Sequence, residues 1–459
     1  MRTRTMLVFV AAVLALAAPR AVQPPATIPD FGPLDAVARE ELKRLQTPGA
    51  AIAVVIGDRV VYSRGVGVAN VETNEPVRPE MLFRLGSTTK MFTATALVSL
   101  ADRGAIDLNQ PIGSYVRGLN AKLSQLTANQ LLSHTSGFFD EAPMFGSNDE
   151  TALENEVRSW TDARFFTEPG RIYSYSNPGY WLAGFLVQST GGKLYADQMA
   201  ATVFAPLGMT HTTLRPLVAM TFPLAQGHDE TPDGPRVVRP AANNAASWPA
   251  GSIFSTVLDL SRFVIAFMNE GTIDGARVLS PNVIKAMTTP RTRIPGGDAW
   301  YGYGLELAKD RGVDVVRHGG SRSGYGSSIR MVPSRKFGVI AVANRSGIGM
   351  NATAERAMEI ALALEPSAPP ARRTPTSLTA EEIAALAGTY SQGPRTLEIV
   401  ARDGKALLKQ GTRETPLVKL GGDDLQTADG SRYVIVRGAD GTIAYVFAGG
   451  RSWRKVTTS

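Results

Sequence analysis

Apolar and polar residues follow one kind of pattern up to about residue 365 and another beyond it. In 33–46, Leu34, Val37, Leu42 and Leu45 fall near one face of a helix, with Pro33 suited to its first turn. Ala51 to Ile56 is an unbroken apolar run closed by Gly57-Asp58, and Val60 to Val68 follows, so the pair predicts a hairpin of strands. The same reading predicts helices over 88–103, 256–270, 280–288 and 352–364, and strands over 313–317, 325–332 and 337–343. Residues 140–170 are polar and flanked or interrupted by Phe138, Phe139, Phe145, Trp160, Phe165 and Phe166; they suit either a pocket wall or lid, or core aromatics. Glu365 to Ser377 is rich in Pro and Ser, as a linker is. Past it, turn pairs recur at Asp403-Gly404, Gly421-Gly422, Asp429-Gly430, Asp440-Gly441 and Gly449-Gly450, with short alternating runs between them. The pattern therefore predicts a mixed helix-and-strand domain over 30–365, a linker over 366–378 and a small antiparallel β-barrel or sandwich of strands alone over 379–459.

The amino terminus has its own signature. Arg2 and Arg4 precede an apolar run from Met6 to Ala18, which is too short to span a bilayer comfortably but suits a secretory signal, and Ala15-Leu16-Ala17 offers a cleavage site. Residues 1–17 are expected to be removed, leaving a periplasmic or extracellular protein of net charge +5 rather than the +7 of the whole chain. The alternative is an uncleaved membrane anchor, and a cell-envelope association fits either reading.

Composition narrows the chemistry. The 459 residues contain no cysteine and four histidines, which argues against disulfides, thiolate metal sites, cysteine nucleophiles and multi-histidine metal centres. Neither a metal nor a cofactor is expected. Basic residues number 48 against 41 acidic ones, mostly Arg and with no long like-charge run, so nucleic acid is not an expected partner. No nucleophile-elbow serine, Walker A loop or strand-placed dinucleotide fingerprint occurs.

Three polar clusters remain. Gly86-Ser87-Thr88-Thr89-Lys90 heads a predicted helix, where residues three apart share a face and free N–H groups favour an anion. A second Ser-x-x-Lys, Ser452 to Lys455, falls in a predicted strand, where that spacing puts the two side chains on opposite faces. A serine hydroxyl needs a base, and a lysine serves only with its pKa lowered, so other polar groups must converge. Tyr175 and Asn177, two apart in a predicted extended loop, can enter one cleft. His318-Gly319-Gly320-Ser321 follows the 313–317 strand, and its glycines allow close approach; the Ser321 and Ser87 amides could together form an oxyanion hole. Each cluster alone has a plainer reading: an N-cap serine, a polar turn, a glycine-rich hairpin. His134 reads as structural, and Arg322 as a solvated turn residue, with a carboxylate partner as its alternative role.

Taken in order, Ser-x-x-Lys, Tyr-x-Asn and His-Gly-Gly resemble the serine β-lactamase-like superfamily of class C β-lactamases, D,D-peptidases, D-aminopeptidases and esterases. Leu131 to Gly137, Ala250 to Thr256, Tyr301 to Gly304 and Gly338 to Asn344 are similar to supporting segments of that superfamily. The resemblance implies a mixed α/β (α+β) sandwich, an antiparallel sheet flanked by helices, followed by a small accessory barrel. It implies an exported serine hydrolase acting through an acyl-enzyme on amide, peptide or ester bonds of a small-molecule or peptide substrate. Ser87 would be the nucleophile, Lys90 its activator, Tyr175 the general base and Asn177 the orienting amide. His318, Gly319, Gly320 and Ser321 would flank substrate. His318 stands where cephalosporinase-type members carry Lys, which favours peptidase or esterase relatives; a true β-lactamase and a non-catalytic penicillin-binding-like protein are the alternatives. Oligomeric state is not legible.

Overall fold

The run from Gly49 to Ile56 is apolar without alternation because both of its faces are buried. Ala51, Ala53 and Val55 pack into the main core with Phe92 and Phe263, while Ala50 and Ile52 meet Ala38 and Leu42 on the opposite face. A computed structural model describes residues 28–367 and 373–456 of the chain. The expected signal segment and the middle of the expected linker lie outside these residues.

Gly49–Ile56 sits inside a nine-stranded antiparallel sheet, between Arg59–Asn70 and Phe337–Ala343. Beyond Phe337–Ala343 the sheet continues through Tyr325–Val332, Val313–Arg322, Glu306–Asp310 and two short outer strands. Asn344 ties the two ends of the domain together: its Oδ1 accepts from Gly49 N–H at 2.8 Å and its Nδ2 donates to Val68 O at 3.0 Å. Helices Pro33–Arg44 and Asn351–Leu362 cover one face of the sheet. Glu41 of the first caps the second, accepting from the Ala352 and Thr353 amides at 3.0 and 2.8 Å.

The other face carries a helical layer built around Thr89–Asp102 and Asn177–Gly191. Every residue from Thr89 to Val98 is buried, so this helix runs through the domain interior instead of lying on its surface. Lys90 is the one charged side chain in that stretch, and the burial of its helix carries it out of water. Among the described residues no helix is long and apolar enough to cross a membrane.

The carboxy-terminal region forms a second nine-stranded antiparallel sheet, a nearly closed barrel in which Gly388–Gln392 pairs with Arg451–Lys455. The alternation read from sequence points inward as expected: Leu397, Ile399, Tyr433 and Ile435 are buried in its core. The region is not strands alone, however. Ala380–Leu386 is a helix with a full capping box, Thr379 accepting from Glu382 N–H and Glu382 accepting from Thr379 N–H. Its local signal, Thr379-x-x-Glu382 ahead of an apolar run, was missed.

Candidate active site

Ser87 lies in a tight 3-10 turn, Gly86–Thr88, just ahead of the Thr89–Asp102 helix and not within it. The turn packs against the Val313–Arg322 strand so closely that a Cβ on Gly86 would lie 2.6 Å from Ser321 N, and Gly86 also takes φ +55°. This approach brings the backbones around Ser87 and Ser321 together. The strand itself extends past 317 through the glycines, because Gly319 and Gly320 pair with Ser328 and Ser327. On its other side the pairing stops at Arg317, opposite Glu306. His318 to Arg322 thus present a free backbone edge to a cleft of about 580 Å³ lined by Ser87, Tyr175, Asn177 and Ser321.

Lys90 Nζ lies 3.3 Å from Ser87 Oγ and also bonds Asn177 Oδ1 at 2.7 Å and Ala250 O at 2.8 Å. Burial holds its pKa well below the usual lysine range; Arg451 and Arg322 push the same way and Asp140 opposes them. A neutral amine has two N–H groups and one lone pair. With Asn177 and Ala250 taking the hydrogens, the lone pair is left for Ser87.

Asn177 is the first residue of the Asn177–Gly191 helix, capped by Ser176, so it reaches Lys90 from a helix start and not by alternation along an extended loop. Its Nδ2 donates to Asp140 Oδ1 at 3.1 Å, which turns its oxygen toward Lys90. Tyr175 precedes the cap, with Lys90 Nζ 4.7 Å from its ring centroid. Burial pushes its phenol well above the usual range, against a hydrogen bond with Ser87 and the charge of Arg451. Burial therefore shifts Lys90 toward its neutral amine and holds Tyr175 in its protonated form.

His318 is buried, its Nδ1 2.6 Å from Gly319 O and its Nε2 2.9 Å from Tyr301 Oη. A carbonyl can only accept, so Nδ1 carries the proton and Nε2 accepts from Tyr301. Burial above all pushes its pKa down to about 3, so the imidazole is neutral. His134 is structural in placement: its Nδ1 accepts from Ser176 N–H at 3.1 Å and its ring stacks 4.2 Å from that of Tyr175.

Arg322 departs from expectation. It ends the strand instead of waving from a turn, donates to Ser247 Oγ at 3.3 Å, and has buried Nε and Nη2 atoms with no protein acceptor among the described residues. Two further residues escaped the sequence altogether. Asp140 accepts from the backbone and side chain of Asn177, and Arg451 from the barrel bonds Asp140 Oδ2 through Nε at 3.0 Å and Nη2 at 2.5 Å. Arg451 also stacks 5.0 Å from the Tyr175 ring, and Gly450 O accepts from Tyr175 N–H at 2.9 Å. The barrel hairpin thus completes one wall of the cleft. Ser452, the decoy of the second Ser-x-x-Lys, anchors that hairpin by donating to Tyr173 O at 2.8 Å. Of the 140–170 segment, Ala142 and Met144 line the cleft while Phe138, Trp160 and Phe166 are core, so both readings of it hold in different parts. Among the described residues no group of three or more His, Asp or Glu side chains is placed to hold a metal ion.

A model of the beta-lactamase family matches residues 34–363. The chain belongs to the beta-lactamase family. Among curated relatives of this family member, an unguisins hydrolase, ungD, of Aspergillus violaceofuscus is 30% identical over 338 residues, 66% of this chain and 59% of the relative. A D-aminopeptidase of Gluconobacter oxydans is 29% identical over 360 residues, 76% of this chain and 63% of the relative. The chain thus spans about 60% of the length of the first curated relatives it matches. The crystal structure of SurE superposes with a TM-score of 0.77 over 92% of this chain and 98% of SurE, at 24% identity, and so shares the fold.

Proposed function

We propose that this family member is a serine hydrolase that opens amide or peptide bonds through an acyl-enzyme on Ser87. The observation that carries the reading is the buried Lys90 amine, 3.3 Å from Ser87 Oγ with its other bonding positions taken by Asn177 and Ala250. Lys90 takes the Ser87 proton as Oγ attacks the carbonyl carbon, and the Ser87 and Ser321 amides receive the developing oxyanion. Tyr175, protonated in the free site, donates to the leaving amine and recovers its proton from Lys90. Water then enters by the reverse relay and releases the acid. This assigns Lys90 the base role that the resemblance placed on Tyr175, and the opposite pKa directions of the two groups support the exchange.

The substrate class proposed is a peptide or amide with a D-configured residue at the acyl position. The names of the D-aminopeptidase relative and of the SurE complex with D-Leu support it, as does the free strand edge, which suits an extended backbone. A neutral His318 leaves Arg322 as the unpaired cation of the cleft, so a β-lactam carboxylate would have to be read from there. We propose export as well, on the charged and apolar pattern of residues 1–18.

The test is a fluorophosphonate probe followed by a panel of D-amino-acid amides, D-Ala-D-Ala peptides, p-nitrophenyl esters and nitrocefin. Wild type is expected to label and to turn over D-amides or peptides faster than nitrocefin, with both lost in Ser87→Ala. Labelling that persists in Ser87→Ala would overturn the assignment.

A further inference from the structure

Behind the wall that carries Ser87 lies a second cavity, of about 690 Å³, which shares no lining residue with the cleft. That volume falls in the range of small-molecule sites. Its walls are largely apolar, with Leu217, Val218, Met220, Leu224, Trp248 and Phe254 among them. Leu217 and Met220 stand on the rim at 80% and 69% exposure, far more than large aliphatic side chains usually show together.

Arg84 lines the same cavity and is itself only 3% exposed. Its Nη1 donates to Ala242 O, and its guanidinium lies 4.8 Å from the Phe254 ring centroid. Nε and Nη2 have no acceptor among the described residues. These two nitrogens form one edge of the guanidinium fork, the edge that takes both oxygens of a carboxylate. Arg215, on the same cavity, shows the geometry: its Nε and Nη2 hold the two oxygens of Glu150 at 2.6 and 2.9 Å. Glu150 is thereby spent, and Arg84 is left as the cavity's unneutralised charge. Burial lowers its pKa to about 10, and the only charge partner that opposes this is Tyr325. A buried cation whose bidentate edge has no partner among the described residues gains most from an anion that brings its own apolar cover.

We propose that this cavity binds an amphiphilic monocarboxylate, with its carboxylate on Arg84 Nε and Nη2 and its aliphatic tail along Leu224 and Phe254 toward Leu217 and Met220. The site is distinct from the cleft and does not depend on the hydrolase reading.

Calorimetric titration of the full chain with decanoate, with decan-1-ol as the uncharged analogue, tests it. Decanoate is expected to bind one to one, at least tenfold tighter than decan-1-ol, and equally well to Ser87→Ala. Arg84→Gln should weaken decanoate at least tenfold, with folding checked by near-ultraviolet circular dichroism. Should that variant not fold, Leu217→Asp with Met220→Asp alters only the exposed rim and should weaken decanoate severalfold by itself. No binding to wild type, equal binding of acid and alcohol, loss of binding in Ser87→Ala, or no effect of either the Arg84 or the rim variant would each overturn the proposal.

Discussion

Gly319 and Gly320 are neighbours on one strand, and the structure predicts opposite responses to the same substitution. A Cβ on Gly320 would lie 1.9 Å from Leu85 O and 2.4 Å from Ser327 Oγ. Carbon and oxygen approach to about 3.3 Å at closest, so the strand and the Leu85–Ser87 segment must part by roughly 1.4 Å. Nothing nearby yields easily. Leu85 O lies 2.7 Å from Thr88 Oγ1 and 2.6 Å from Ser327 Oγ, and those hydroxyls lie 2.7 Å apart, so three oxygens already share two hydroxyl hydrogens. Overpacking of this kind costs about 1–3 kcal/mol in stability. Displacing reacting groups by about 1 Å costs about 100-fold in rate, and here the displaced pieces carry the Ser87 and Ser321 amides. A Cβ on Gly319 meets only Ser327 O, at 3.8 Å, an ordinary contact. Gly320→Ala should therefore lose about 100-fold or more in kcat/KM, together with about 1–3 kcal/mol in urea unfolding. Gly319→Ala should keep its stability within about 0.5 kcal/mol and change chiefly KM. Parallel kinetics on the best amide substrate, with urea melts, decide the matter. Equal losses in the two variants, or a Gly320→Ala enzyme within about threefold of wild type, would refute the argument that this close approach builds the site.

Three further outcomes are expected. Arg451→Gln removes a cation that lowers the Lys90 pKa and leaves Asp140, which raises it, without its partner; Lys90 then holds its proton to higher pH, and the acid limb of kcat/KM should move up, whereas Asp140→Asn should move it down, as full pH–rate profiles would register. His318 is neutral above about pH 3 when folded but takes a proton near pH 6.5 when unfolded, so the unfolded state binds more protons and stability falls as pH drops below about 6.5, by about 1.4 kcal/mol per unit for this group; its imidazole NMR shift should stay flat from pH 8 to about pH 4. Glu41→Ala strips the Ala352 and Thr353 amides of their acceptor and should cost about 1–3 kcal/mol in urea unfolding while leaving turnover unchanged.

Much of the sheet and its flanking helices was legible because their signals are local. The 337–343 strand matches its prediction, and the 33–46, 256–270 and 352–364 helices came within two residues at each end. The 313–317 strand was cut short because two glycines read as a turn; they remain in the strand because Ser327 and Ser328 satisfy their backbone on one side. Arg322 was misjudged as solvated because nothing in its neighbourhood announces the short Trp248–Gly251 helix, with Ser247 at its N-cap, that packs over it. Asp140 and Arg451 carried no signal: each is an ordinary charged residue beside an ordinary turn.

The sequence by itself determined that Ser87 and Lys90 meet, since a three-residue spacing at a helix start is a matter of backbone period and needs no distant partner. It also determined, through four histidines and no cysteine, which chemistries were left to look for. Only the tertiary structure decided the proton state of that pair. The groups that fix it arrive from far along the chain: Asn177 and Ala250 stand 87 and 160 residues from Lys90, and Arg451 reaches Asp140 across 311. Backbone periodicity is set within a few residues, whereas the desolvation and charge felt by a buried amine depend on everything packed around it.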